Sequence, residues 1–166
     1  MFDLTVLTIV SGGQTGADRA ALDAALDHGI AHSGWCPRGR LAEDGSIPER
    51  YKLRETPSRR YAQRTEWNVR DSDATVVFTI AAAVTGGTSL TLALARKLGK
   101  PALHLSREAL VAEHGESTFV SAGAELLSTF LREHDVRVLN VAGPRGSQEP
   151  EIGEFVCGVM QAAFGA

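Results

Sequence analysis

The stretch IVSGGQTGADRAALDAAL, residues 9–26, joins an apolar run to a helical pattern through a loop of small residues. Ser11, Gly12 and Gly13 end the apolar run, and apolar residues recur at helical spacing from Ala17. The first N–H groups of a helix lack partners within it and favour an anion, while glycines allow a ligand to approach the backbone. A tight turn needs only one glycine, so the sequence favours an anion-binding loop over a simple turn.

Thr15 and Asp18 have the spacing of a capping box, which predicts that they close the start of the helix. Residues 11–14 then remain for a ligand. The loop is not a P-loop, because it contains no lysine. It also departs from the dinucleotide fingerprint, since Ser11 occupies the place of the first glycine and Arg38, instead of an acid, follows the next strand.

The same plan of apolar run, small-residue loop and helical pattern occurs twice more. One unit covers 74–99, with VTGGTS as its loop and Thr88 or Ser89 as the predicted N-cap, and the other covers 136–164, with AGPRGS as its loop. Alternating apolar strands and helices predict a mostly parallel sheet covered on both faces, in one domain over 1–166. The three loops then follow carboxyl ends of strands, where ligands bind in such sheets. The elements predicted are strands 5–10, 30–36, 74–80, 101–106 and 136–141, and helices from about 17 to 28, 58–72, 88–99, 118–134 and 151–164.

Composition narrows the classes of partner. A net charge of −3 argues against nucleic acid as a partner, and no apolar stretch approaches the ~18 residues of a membrane span. The N-terminal apolar stretch has no basic region before it and no cleavage site, so we expect a cytoplasmic protein with Cys36 and Cys157 as reduced thiols. The five histidines have no metal-ligand spacing, and we expect no structural metal.

Two features of the middle third leave alternatives open. Eight arginines between residues 38 and 70 form either a solvated face or an anion-attracting mouth. In the predicted helix 58–72, Tyr61, Thr65, Asn68 and Ser72 share a face, so the helix either lies over a polar cleft, takes part in a subunit contact or is simply exposed. The stretch 37–57 is a long excursion without clear periodicity.

Five motifs in order resemble the molybdenum-cofactor carrier family, which is circularly permuted, YpsA/SMF-like and related to the LOG-type proteins. They are SGGQTGADRAAL, GWCPRGRLAEDGSIP, YAQRTEWNVRDSDATVVF, TGGTSLTLALARKLGKP and LNVAGPRGS, and together they span about residues 5–160. The resemblance implies an α/β, Rossmann-like three-layer fold. It also implies storage or protection of the molybdenum cofactor (molybdopterin), or of another nucleotide-like ligand, often in an oligomer.

Carried over by position, the resemblance also implies a set of ligand-binding residues. They are Ser11, Gly12, Gly13, Gln14, Thr15, Gly16, Arg38, Asn68, Thr85, Gly86, Gly87, Thr88 and Arg145. The anionic phosphate and molybdenum oxo groups of such a ligand suit helix N-termini.

Two functions remain after this step. The first is a non-enzymatic carrier of a small anionic ligand, acting as a homo-oligomer (a dimer or tetramer). The alternative is an enzyme that processes a nucleotide or nucleoside phosphate, with Asp18, Asp71 or Asp73 as acid or base. The LOG-type proteins that this chain resembles have a catalytic glutamate where Ala93 stands here, and this departure favours the carrier.

Overall fold

The computed structural model describes residues 3–165; Met1, Phe2 and Ala166 of the predicted 1–166 domain lie outside it. A short 3-10 turn at Leu4–Val6 precedes the regular elements. In chain order these are β1 (Thr8–Val10), α1 (Ala17–Asp27), β2 (Ala31–Ser33), β3 (Trp35–Cys36), β4 (Leu41–Ala42), β5 (Gly45–Ser46), β6 (Arg54–Glu55), α2 (Tyr61–Arg70), β7 (Ala74–Thr79), α3 (Gly86–Lys97), β8 (Ala102–Ser106), α4 (Arg107–His114), α5 (Phe119–Glu133), β9 (Val138–Ala142) and α6 (Ile152–Phe164).

A parallel sheet of five strands forms the centre, in the order β2-β1-β9-β7-β8. Ile9 of β1 lies opposite Leu139 of β9, and Val76 of β7 lies opposite Val141 of β9. Every residue of β7 is buried, as expected for a strand covered on both faces. The predicted α/β Rossmann-like class is therefore confirmed.

The strand order reverses direction at the centre of the sheet. From β1 the chain passes through α1 to β2 on one side, and from β7 it passes through α3 to β8 on the other. Right-handed crossovers in opposite directions place α1 and α3 on opposite faces. β9 returns between β1 and β7, so the loops after these three strands share one stretch of the carboxyl edge.

Two hydrophobic clusters stabilise the molecule. The larger one joins β1, β7 and β9 to α1, α5 and α6, and includes an edge-to-face contact of Phe78 and Phe155 with ring centroids 5.6 Å apart. The smaller one holds Leu22 of α1 against Cys36, Ile47 and Tyr51, and so anchors the excursion 37–57. Cys36 and Cys157 are both free thiols.

Several predicted boundaries are wrong. The strand predicted at 5–10 begins only at Thr8, because Leu4–Val6 forms a 3-10 turn. The strand predicted at 30–36 breaks at Gly34, which has φ +145° and lies so close to the first loop that a Cβ would stand 2.1 Å from the Ser11 carbonyl oxygen. The excursion 37–57 contains the antiparallel hairpin β4–β5 and strand β6, and α4 was not predicted.

The described helices are all too short or too polar to cross a bilayer.

Candidate functional site

Three loops at the carboxyl edge of the sheet meet at one crevice. They follow β1, β9 and β7 and cover residues 11–16, 143–151 and 80–85. A cavity of about 160 Å³ is lined by residues of the first and third loops, by the start of α3 and by α2. A second cavity of about 200 Å³ adjoins it. We call the two together the crevice, and the residues lining both are Gly87, Thr88, Pro144 and Gln148.

The first loop is covered by the chain itself. Ser11 is fully buried and its hydroxyl donates to the Val141 carbonyl oxygen at 2.9 Å. The guanidinium of Arg64 lies over Gly12, where a Cβ would stand 2.0 Å from Nη1. Gly13 is packed in the same way by Ile47 and Leu53 of the excursion. Gly12 and Gly13 thus leave room for side chains of the chain itself to pack on the loop.

A buried ion pair stands at the start of α1. Asp18 is 3% exposed, and its Oδ2 accepts from Arg64 Nη1 at 3.1 Å and from the Gln14 N–H at 3.2 Å. Burial raises the pKa of the Asp18 carboxyl, while Arg64 and the Gln14 N–H oppose that rise. The place where a helix N-terminus would attract an anion is thus taken by a carboxylate of the chain.

The predicted capping box is wrong. Gly16 is the N-cap of α1, with φ +80°, and within residues 3–165 no side chain caps this helix. The Thr15 hydroxyl instead accepts from the Gly146 N–H at 3.1 Å and donates to Glu43. Gly16 is needed because a Cβ would stand 2.6 Å from the Pro144 carbonyl oxygen. The first and third loops therefore touch, backbone against backbone.

The second loop is open. α3 begins at Gly86 with Thr85 as N-cap, so the prediction of Thr88 or Ser89 as N-cap is wrong. Thr85, Gly86 and Gly87 are exposed, and no described atom lies within 4 Å of the place a Gly87 Cβ would take. Within the described residues no side chain caps α3 either. This helix N-terminus lines the crevice and is accessible to a ligand.

An aromatic ring lies close to two cations at the crevice wall. Tyr61 of α2 lines the crevice, with the Arg145 guanidinium 5.3 Å and the Arg64 guanidinium 5.7 Å from its ring centroid. Of the alternatives for the helix predicted at 58–72, which runs from Tyr61 to Arg70, its position over a polar cleft is the one observed. Tyr61 and Arg145 can together face a planar or anionic ligand.

Two buried donors at the crevice have no partner within residues 3–165: Gln14 Nε2 and Arg64 Nε. Gln14 is 5% exposed, and its Oε1 already accepts from the N–H groups of Thr15 and Glu43. A buried N–H without a partner is costly, so both atoms favour a ligand or ordered water that accepts from them. In the same described range, no cluster of three or more His, Cys, Asp or Glu is placed to hold a metal ion.

The model of the circularly permutated YpsA SLOG family matches residues 9–164. The chain belongs to this family. A crystal structure of a protein named a putative molybdenum carrier protein, from Syntrophus aciditrophicus SB, superposes on it with a TM-score of 0.87. The two are 40% identical over 97% of each chain. No curated protein matches this chain significantly.

Two predicted ligand-binding residues of this SLOG protein lie apart from the open loops. Arg38 is exposed on the excursion and is not among the described residues that line the crevice. Its backbone N–H donates to the Ser58 carbonyl oxygen at 3.0 Å. Asn68 is 2% exposed and pairs with the backbone of Trp35, accepting from its N–H at 2.7 Å and donating to its carbonyl oxygen at 2.9 Å. Its amide thus positions α2 against β3.

The three aspartates of the enzyme alternative are far from equivalent. Asp18 lines the crevice. Asp71 accepts from Trp35 Nε1 and from Arg70, which lowers its pKa to about 2. Asp73 accepts from the N–H groups at the start of β9, on the opposite edge of the sheet. Only Asp18 of these three stands where it could meet a ligand of the crevice.

The predicted set of ligand-binding residues lacks Tyr61 and Arg64, which line the crevice, and Glu43, which accepts from the Thr15 hydroxyl. The shared helical face of Tyr61 and Thr65 was the available signal for α2, and both line the crevice. Arg64 is one of the eight arginines between residues 38 and 70. These arginines do not share one role, so neither a solvated face nor an anion-attracting mouth describes them all. Arg64 serves the crevice, whereas Arg40 binds the carbonyl oxygens of Ile47, Pro48 and Tyr51 and orders the excursion.

Proposed function

We propose that this chain is a non-enzymatic carrier that binds a small anionic, nucleotide-like ligand, such as the molybdenum cofactor, in the crevice. The observation that supports this most directly is the open N-terminus of α3 in the crevice that Arg145 also lines, because both favour an anion. The 40% identical neighbour named a putative molybdenum carrier protein supports the same class of ligand.

In this proposal the anionic group of the ligand binds at Thr85, Gly86, Gly87 and Thr88. Arg145 pairs with it, and the ring of Tyr61 faces the planar part of the ligand. Gln14, which lines the same crevice, donates its unpartnered Nε2. The loop that carries Gln14 is shaped by Ser11, Gly12, Gly13, Thr15 and Gly16. Arg38 and Asn68 contribute least to ligand binding.

The molybdenum cofactor fits this donor set. Its pterin is planar and its phosphate is an anion, whereas its metal is held by the pterin itself, so the protein needs no metal-ligand cluster of its own. When bound, the cofactor supplies the redox-active molybdenum that a recipient enzyme uses. The residues of this chain hold the anion, cover the ring and limit access of water. Ala93, which stands where LOG-type proteins carry a catalytic glutamate, supports carriage over hydrolysis.

The first test is purification from the native host, followed by mass spectrometry and metal analysis. We expect a pterin and molybdenum to accompany the protein, and added cofactor to survive longer in its presence. If neither accompanies it and added cofactor gains no lifetime, the molybdenum proposal is wrong.

A matched pair of variants tests the site. Arg145→Gln removes the charge at the crevice wall and should weaken binding of released molybdenum cofactor about tenfold, as expected for one lost charge-assisted hydrogen bond. Arg59→Gln removes an exposed charge outside the crevice lining and should leave affinity unchanged. Fluorescence titration of the pterin measures both. Equal affinities in the two variants would argue against this site.

We also propose that the protein acts in the cytoplasm as a homo-oligomer, a dimer or tetramer. The sheet ends in the two edge strands β2 and β8, which offer surfaces for self-association. Static light scattering of the purified protein measures the oligomeric state.

A further inference from the structure

The hairpin β4–β5 carries two acidic residues at its tip. Glu43 and Asp44 form the two-residue turn between Ala42 and Gly45, and both are exposed. We call residues Leu41–Ser46 the acidic hairpin. Asp44 pairs with Arg19 of α1, whose Nη2 lies 2.8 Å from Oδ1. The tip is therefore bound to the element that follows the first loop.

Glu43 binds where the first and third loops touch, at the contact of Thr15 and Gly16 with residues 144–147, which we call the seam. Its Oε1 accepts from the Thr15 hydroxyl and from the Ser147 N–H at 3.1 Å, and its Oε2 accepts from the Ser147 hydroxyl. We call these three donors the seam nest. They come from two different loops that meet only in the folded protein, and all three point at one carboxylate. Hydrogen bonds of this kind, donated to an ionised acceptor, are the strong ones.

The seam nest has the composition of an oxyanion site. Two hydroxyls and a backbone N–H are donors that serve phosphate, molybdate and carboxylate alike. Arg145 adds positive charge, since it is among the groups that lower the pKa of the Glu43 carboxyl, after the hydrogen bonds of Ser147 and Thr15. Arg145 also lines the crevice, so it links the two anion positions.

We propose that Glu43 is an internal, displaceable occupant of the seam nest, and that an oxyanion competing for this nest releases the acidic hairpin. The carboxylate holds the hairpin closed over the first loop while the nest contains no other anion. Release also breaks the hydrogen bond from the Glu43 N–H to Gln14 Oε1, which is 2.9 Å long. Because Gln14 lines the crevice, opening of the hairpin frees a crevice residue to move.

This inference deepens the proposed function by adding a control of ligand entry, and it rests on that function only in taking an oxyanion-bearing ligand as the effector. An occupant tethered to the nest competes at high effective concentration, so removal of its carboxylate should strengthen oxyanion binding by the reciprocal of the fraction of time that the nest stands empty.

The experiment compares Glu43→Ala with Asp44→Asn by titration with inorganic phosphate in a calorimeter. Glu43→Ala empties the nest and should bind phosphate there at least about tenfold more tightly than the wild type, in which phosphate must displace the carboxylate. Asp44→Asn loosens the same hairpin by breaking its pair with Arg19 but leaves Glu43 in place, so its phosphate affinity should stay close to that of the wild type. Hydrogen exchange of residues 41–47 in the wild type should accelerate when phosphate is added.

Two results would overturn the proposal. One is an equal affinity for phosphate in Glu43→Ala and the wild type. The other is a gain of the same size in Asp44→Asn, which would assign the effect to hairpin opening alone. If Glu43→Ala does not fold, Glu43→Gln removes only the charge and should still gain phosphate affinity. A wild type that binds no cofactor in the crevice would contradict the proposed function, while the gain of phosphate affinity in Glu43→Ala would remain measurable.

Discussion

Asp18 and Arg64 show how one buried pair determines the character of the first loop. The guanidinium occupies the space above Gly12, and the carboxylate occupies the start of α1. The helix N-terminus stabilises the carboxylate, and Arg64 neutralises it. The side chains of Asp18 and Arg64 are 4% and 13% exposed, so removal of one partner leaves the other charge buried without its counter-charge.

The Arg64→Met variant tests that pair. At pH 7 it should lose about 3–5 kcal/mol of unfolding free energy, because Asp18 stays buried without its cation. Without Arg64 the pKa of Asp18 rises further, so the folded variant binds more protons than the unfolded chain above the ordinary aspartate pKa. Its stability should therefore fall as the pH rises through that window, and recover on acidification. Urea unfolding at pH 5 and pH 7 measures both effects.

An exposed pair supplies the control for Arg64→Met. Arg70 pairs with Asp71 at 2.7 Å, but these side chains are 48% and 37% exposed. Arg70→Met should therefore cost less than about 1 kcal/mol. A loss in Arg64→Met no larger than in Arg70→Met would show that the buried pair is not a stabilising contact of the fold.

At the scale of elements, the seam between the first and third loops positions the crevice. The Ala17 N–H donates to the Pro144 carbonyl oxygen at 3.2 Å, and Gly16 allows this close approach. The start of α1 is thereby fixed to the loop that carries Arg145. Since Pro144 and Arg145 both line the crevice, we expect this contact to affect ligand binding as well as stability.

A glycine pair isolates the contribution of the seam. Gly16 and Gly29 both have positive φ, +80° and +64°, but only Gly16 faces backbone at 2.6 Å, while Gly29 has no described atom within 4 Å of its added Cβ. Gly16→Ala should therefore cost ~3 kcal/mol and weaken cofactor binding. Gly29→Ala should cost only about 1 kcal/mol, with affinity unchanged. Thermal unfolding and cofactor titration distinguish them, and equal losses would mean that the seam does not constrain the loops.

The elements that local pattern determines are the ones that the sequence predicted well. The runs 74–80 and 136–141 are apolar because β7 and β9 are buried in the sheet, and α6 follows the predicted 151–164 within a residue. The predicted caps failed for a non-local reason. Thr15 could cap α1 by its own spacing, but Glu43 and Gly146 bind its hydroxyl instead. Residues 28 and 131 positions away decide its role.

The candidate site, like the fold, was predictable only where local sequence pattern determines it. That three glycine-containing loops follow adjacent strand ends could be read from repeated apolar runs, since parallel strands bring their carboxyl ends to one edge. Which of them is open could not, because the covering groups Arg64, Ile47 and Leu53 come from α2 and the excursion. A side chain that packs on a glycine leaves the same sequence pattern as a ligand that approaches it.

At the scale of the whole molecule, the two hydrophobic clusters differ in what they support. The larger one unites the sheet with four helices, whereas the smaller one has Leu22, Cys36, Ile47 and Tyr51 at its centre. Few buried apolar contacts and several exposed polar ones characterise segments that open locally. The excursion 37–57 is therefore the part of the protein best suited to move while the sheet stays intact.

This difference predicts two levels of hydrogen exchange. The amides of β7 and β9 should exchange at the rate of global unfolding, because these strands lie inside the sheet and are almost wholly buried. The amides of the acidic hairpin and of Ile47, whose N–H donates to the Arg40 carbonyl oxygen at 2.8 Å, should exchange about a hundredfold faster through local opening. Mass spectrometry of peptides covering 41–53 and 74–79 measures both rates.

Glu43→Ala should accelerate exchange in the peptide 41–53 and leave the peptide 74–79 unchanged, because it releases the hairpin without touching the larger cluster. Equal protection of the two peptides in the wild type would mean that the excursion unfolds only with the sheet, and that the hairpin cannot open by itself.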